Sequence, residues 1–154
     1  MHTSKNIKKF LDQFPAYPFK GELEQDFVLA NTKYYPIKTK NKWGFVNEEL
    51  KIVIPPIYSW ISDFSEGAAA VMINDKVGFI NKNRVKVIPF IYDEAEPFLS
   101  GLAIVGKNDK YGIINKTGET IVPIIYDEIG ETSNQFISIE LDGGYGFIDQ
   151  KGNL

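Results

Sequence analysis

Apolar residues along this chain fall in runs of four to six, rich in Val, Ile, Phe and Tyr and bounded by Asn, Asp, Gly and Pro. Runs of that length and composition predict short strands joined by turns. Ala68 to Ile73 reads as a strand, and Asn74 with Asp75 follows it, two residues that tolerate the positive φ of a tight hairpin. A second strand then runs from Lys76 to Asn81. The same turn recurs at Asn108 and Asp109 and, in its strongest form, at Asp142 and Gly143. A further turn from Asn115 to Gly118 leads to a third strand that is expected to end at Val122, because Pro123 cannot donate to a central ladder. An irregular elbow carrying Tyr126 follows.

This pattern is periodic. Gly44, Gly78, Gly112 and Gly146 lie thirty-four residues apart, as do Pro55, Pro89 and Pro123, and Tyr58, Tyr92 and Tyr126, with no insertion or deletion between them. A helical repeat of the same period is excluded, because it needs two helices per unit and the apolar runs are too short. The expected fold is therefore an all-β repeat array. Tandem three-stranded meanders stack as a solenoid- or barrel-like assembly, with units starting near 42, 76 and 110 and a partial unit from 144. With Asn74 and Asp75 at the turn, Val71 falls opposite Gly78 and Ala69 opposite Ile80. A glycine kept in mid-strand implies that another group packs onto it, and the elbow tyrosine is the expected group. The opposite face carries Trp43, Val77, Tyr111 and Tyr145 with Phe45, Phe79, Ile113 and Phe147, so both faces are expected to be buried between neighbours.

The strings KWGFV, KIVIPPIY and FSEGAAAV resemble the WG repeat, also called the KWG repeat, of bacterial proteins. The resemblance spans residues 33–154. Only Trp43 keeps the tryptophan of the name, with Val77, Tyr111 and Tyr145 in its place, and Thr132 and Gln135 stand where earlier units have Phe64 with Gly67 and Phe98 with Gly101. The resemblance implies protein interaction and brings no catalytic residues.

Residues 1–32 read as a separate segment. Ser4 caps a short helix whose apolar positions Ile7, Phe10, Leu11 and Phe14 share one face, and Pro15 ends it. Such a helix suits a cap on the first unit, as repeat arrays require. Charge divides along the same line: residues 1–42 carry eight basic and four acidic side chains, whereas 43–154 carry nine basic and sixteen acidic. The acidic repeats lack the basic stripe that nucleic acid demands. With no cysteine in the chain, no membrane-length apolar run and no secretory signal pattern, the expected location is the cytoplasm.

Catalytic parts are scarce. His2 is the only histidine, no phosphate loop occurs, and no ligand spacing points to a metal, so no enzyme activity and no cofactor is expected. Function should then lie where the copies differ, in the elbows. Asp93, Glu94 and Glu96 in one elbow are followed by Asp127, Glu128 and Glu131 in the next, an acidic ladder suited to a basic protein partner. Trp60 takes the place of Glu94 and Glu128, an exposed aromatic of the kind that anchors interfaces. The leading expectation is a non-enzymatic protein-protein interaction domain, in its narrower form an immunity or adaptor protein masking a bacterial effector. The alternative is a carbohydrate-binding module using Trp43, Trp60 and the tyrosines as stacking faces.

Overall fold

A computed structural model describes Lys9, Asp12, Gln13 and residues 28–132 and 134–154. Lys9, Asp12 and Gln13 are helical and exposed, whereas Ser4, Ile7, Phe10, Leu11, Phe14 and Pro15 of the expected cap lie outside the described residues. The rest is almost entirely strand. Sheet one comprises β1 (Tyr35–Thr39), β2 (Lys42–Val46) and β3 (Ile52–Tyr58). Sheet two orders β4 (Trp60–Ile61), β5 (Ala68–Ile73), β6 (Lys76–Asn81) and β7 (Lys86–Tyr92). Sheet three repeats that plan with β8 (Glu94–Ala95), β9 (Leu102–Lys107), β10 (Lys110–Asn115) and β11 (Thr120–Tyr126). Sheet four holds β12 (Glu128–Ile129), β13 (Phe136–Leu141) and β14 (Gly144–Asp149). All pairings are antiparallel.

The turns are dictated residue by residue. Asn74 and Asp75 sit at φ 49 and 59, Asn108 and Asp109 at 52 and 59, and Asp142 and Gly143 at 50 and 77, the left-handed pair that matches hairpin twist. This fixes the register, so Val71 pairs with Gly78 and Ala69 with Ile80 as expected. Between second and third strands another element recurs. The Oδ1 atoms of Asn47, Asn81, Asn115 and Asp149 each accept two backbone N–H bonds, from residues two and four further on, at 2.8–3.0 Å. A side chain that mimics a backbone turn explains why only Asn or Asp occupies these positions.

The third strand departs from expectation. It does not stop before its proline but runs on through Pro55, Pro89 and Pro123 to the tyrosine. Between the pairs Phe79–Ile88 and Val77–Tyr92, β6 advances two residues while β7 advances four, which is a bulge. Because β7 and β11 are edge strands of their sheets and the proline lies in the bulge, the missing N–H breaks no regular ladder. The bulge also answers what packs on the glycines. A Cβ on Gly78 would lie 2.6 Å from the Ile88 carbonyl oxygen, and one on Gly112 would lie 2.6 Å from that of Val122, with Gly44 crowded in the same way by Ile54, Pro55 and Pro56. The roof is therefore the bulged backbone of the unit's own third strand and not the elbow tyrosine.

Those tyrosines are core residues instead. Each core cluster draws on two successive sheets. Phe45, Ile54 and Tyr58 pack with Ala69, Val71 and Ile80; Phe79, Ile88 and Tyr92 with Phe98, Ala103 and Val105; Ile113, Val122 and Tyr126 with Ile137, Ile139 and Ile148. Burial raises the phenol pKa of Tyr58 and of Tyr92. Both faces of β5 are used, Ala69 and Val71 toward sheet one and Ala68 and Ala70 toward sheet three. Elbow aromatics close the first two junctions, with Phe45 and Phe64 at 4.8 Å and Phe79 and Phe98 at 4.7 Å between ring centroids. Ahead of the first unit, Lys82 reaches the helical turn at 28–31. Its ammonium donates to the carbonyls of Leu29, Ala30 and Thr32, the last at 2.6 Å, and lies 5.5 Å from the Tyr34 ring centre. A cation at the carbonyl end of a helical turn satisfies acceptors the turn leaves open.

Candidate functional site

Each elbow passes from the third strand of one unit into a two-residue strand of the next sheet, so its side chains line a junction. The seven residues expected to form the site separate into distinct environments there. Asp93 and Asp127 are internal clamps. The Asp93 carboxylate accepts the Lys76 ammonium and, at 2.8 Å, the N–H of Asn108; Asp127 accepts Lys110 and, at 2.8 Å, the N–H of Asp142. Each therefore ties the second strand of its own unit to the hairpin turn of the next. Hydrogen bonds from Lys76 and then from the Asn108 N–H hold the Asp93 carboxyl below the usual carboxylate range, and Lys110 with the Asp142 N–H does the same for Asp127.

Glu94, Glu96 and Glu128 are exposed and converge with Asp127 on one open cleft of about 440 Å³. Its floor is apolar, built from Ala95, Ile104 and Ile129, and Tyr111 forms a wall. The wall depends on a compensating pair. Glu94 and Tyr111 flank Gly106 across the sheet, and a Cβ on Gly106 would meet the Tyr111 ring at 2.9 Å. The ring thus lies over the glycine, and its hydroxyl donates to Glu94 Oε2 at 3.1 Å. That hydrogen bond, followed by burial and the neighbouring carboxylates, raises the Tyr111 pKa. Glu131 is exposed but does not line the cleft, since Gly130 takes the place equivalent to Glu96.

The row that crosses each sheet at this level differs from unit to unit. It reads Trp60, Met72, Val77 in sheet two; Glu94, Gly106, Tyr111 in sheet three; and Glu128, Glu140, Tyr145 in sheet four. Trp60 is 40% exposed, in line with its expected position on the surface. Trp43 is half-buried, with the Lys38 ammonium 5.3 Å from its ring centre. Tyr58, Tyr92 and Tyr126 are buried and offer no stacking faces. Sequence reasoning did not include Tyr111, Gly106 or Ile104 in the site. The available signal was the joint departure of Gly106 from Met72 and Glu140 and of Tyr111 from Val77, a small residue paired with a large one. Past this elbow Thr132 is buried, and Gln150 donates to its carbonyl at 3.1 Å.

Among the described residues no group of three potential metal ligands gathers, and no helix is long and apolar enough to cross a membrane. Neither a curated protein nor a solved structure matches the chain. A family model does. The WG containing repeat matches three consecutive segments, residues 43–76, 78–111 and 111–145, in step with the second strand and glycine of each unit. The chain belongs to the family of WG containing repeats.

Proposed function

We propose that this protein is a non-enzymatic interaction domain, an open stack of β units whose cleft between the second and third elbows receives a basic segment of a protein partner. One observation carries the reading. Asp93 and Asp127 are neutralised by Lys76 and Lys110, whereas Glu94, Glu96 and Glu128 have no ion-pair partner among the described residues. Three carboxylates above an apolar floor suit a lysine or arginine side chain, whose stem packs on Ala95, Ile104 and Ile129 while its head meets the acids. The narrower form, an immunity or adaptor protein in the bacterial cytoplasm that masks an effector, follows if the basic segment belongs to that effector. Carbohydrate binding is the weaker reading because three of the tyrosines it would use are buried.

Titration with a lysine- and arginine-rich peptide, followed by backbone amide shifts, tests the cleft directly. Shifts are expected first at Ile104, Gly106 and Tyr111, and the variant Glu94→Lys with Glu96→Lys should abolish them. Shifts spread evenly over all acidic positions, or retained in that variant, would make the cleft an ordinary solvated surface.

A further inference from the structure

Trp60 is an exposed aromatic that the cleft does not use. On β4 it lies directly opposite Met72 of β5, so the two side chains share one face of sheet two. That face is the counterpart of the one on which Glu94, Gly106 and Tyr111 meet in sheet three. The residue types are what differ. Gly106 leaves its level open to the Tyr111 ring, whereas Met72 stands at the same place in sheet two with a long apolar side chain. Met72 is half-buried and packs against the core cluster that also receives Ala95 of the second elbow. Trp60 and Met72 thus form an apolar ledge beside that elbow, and Glu94, the neighbour of Ala95, stands between the ledge and the cleft.

Charge identifies what lies on the ledge. Along the stack this level passes from apolar, at Trp60 and Met72, to acidic, at Glu94 and then Glu128. Glu94 has no ion-pair partner among the described residues. A segment that follows the stack therefore meets an apolar surface first and carboxylates next, and it is matched only if its own side chains change in the same order. The spacing follows from geometry. Packed sheets lie about 10 Å apart and an extended chain advances about 3.3 Å per residue, so one junction corresponds to about three residues of the partner.

We infer that the Trp60 and Met72 ledge anchors an apolar side chain of the same extended partner segment, three positions away from the base held in the cleft. The inference deepens the reading of the protein as an interaction domain and rests on it. Ledge and cleft together select a partner by the distance between an apolar residue and a lysine or arginine, which a uniformly basic tail does not satisfy. The apolar contact slows dissociation, while the carboxylates speed association.

The probes are three synthetic peptides with a lysine-arginine pair and, three residues before it, leucine, serine or lysine; each is also made with the order reversed. The serine peptide reports on the cleft by itself. In one of the two orders the leucine peptide should bind about tenfold more tightly than the serine and lysine peptides, and its advantage over serine should persist as salt rises while all three weaken. Trp60→Glu places on the ledge the residue that two other units carry there, so the variant should keep the parent's melting temperature. It should cut the leucine advantage to less than about twofold and leave the serine peptide bound at least as tightly as before. Equal binding of the leucine and serine peptides, a leucine advantage unchanged in Trp60→Glu, or a lysine peptide as tight as the leucine one would overturn the anchor while leaving the cleft in place. Absence of binding by every peptide at about 1 mM would remove the cleft and the anchor together.

Discussion

Gly112 and Gly146 occupy the same place in the same motif, yet a Cβ would lie 2.6 Å from the bulged backbone of Val122 at one and in ordinary contact with Ile139, at 3.7 Å, at the other. The difference shows that the repeat's landmarks do not serve the hairpin that contains them. They describe a contact between the second and third strands, since it is the bulged third strand that crowds Gly44, Gly78 and Gly112. Phe79 and Phe147 make the same contrast in the core. One is sealed by Phe98 and the next unit, the other looks outward.

The contrast should be sharpest in side-chain truncation. Phe79→Ala should cost about 3–5 kcal/mol, the usual loss for a buried aromatic, and Phe147→Ala less than about 0.5 kcal/mol, both read from denaturant midpoints. Similar losses at both positions would mean that the last hairpin is covered in solution. Glycine substitution comes next. Gly112→Ala forces a carbon into the Val122 carbonyl and should cost about 1–3 kcal/mol, whereas Gly146→Ala should be neutral or gain about 0.5–1 kcal/mol. A destabilised Gly146→Ala protein would show a strand already seated on β14.

The smallest effect separates clamped junctions from the unclamped end. Asp93 and Asp127 have carboxyl pKa values lowered by folding, so each stabilises the fold fully above the unfolded value near ~3.9 and loses that contribution as pH falls through the lower folded value. Asp93→Asn with Asp127→Asn should melt slightly below the parent at neutral pH and converge with it in acid. A gap that persists below both values would show that the clamps act through something other than their charge. Asp142 has no lysine partner among the described ion pairs, and Asp142→Asn should melt with the parent at neutral pH.

How far the sequence could be read follows from the range of each interaction. Turn residues act on their immediate neighbours, so the hairpin from Ala68 to Asn81 and its register were legible to the residue. The bulge at Pro123 was not, because four residues of one strand spanning two of another is a property of the pair. The two-residue strands, such as Trp60–Ile61, are too short to leave a periodic signal and exist only because the next unit offers an edge. At the site, the acidic residues were visible but their division was not. Asp93 and Glu94 are neighbours in sequence, and only the topology brings Lys76, seventeen residues back, to one and not the other.

The short strands have a consequence for how such an array can be divided. Each third strand passes through a single residue, Ser59, Asp93 or Asp127, into the sheet of its successor, so a cut placed at the tryptophan-glycine motif severs a hairpin from the chain that closes it. The segment that carries a whole sheet begins at Trp60 and ends at Tyr92, half a repeat out of phase with the motif by which the family is recognised. A duplication or graft bounded at Ser59 and Asp93 transfers four strands that already pair with one another, whereas one bounded at the motif transfers halves of two sheets.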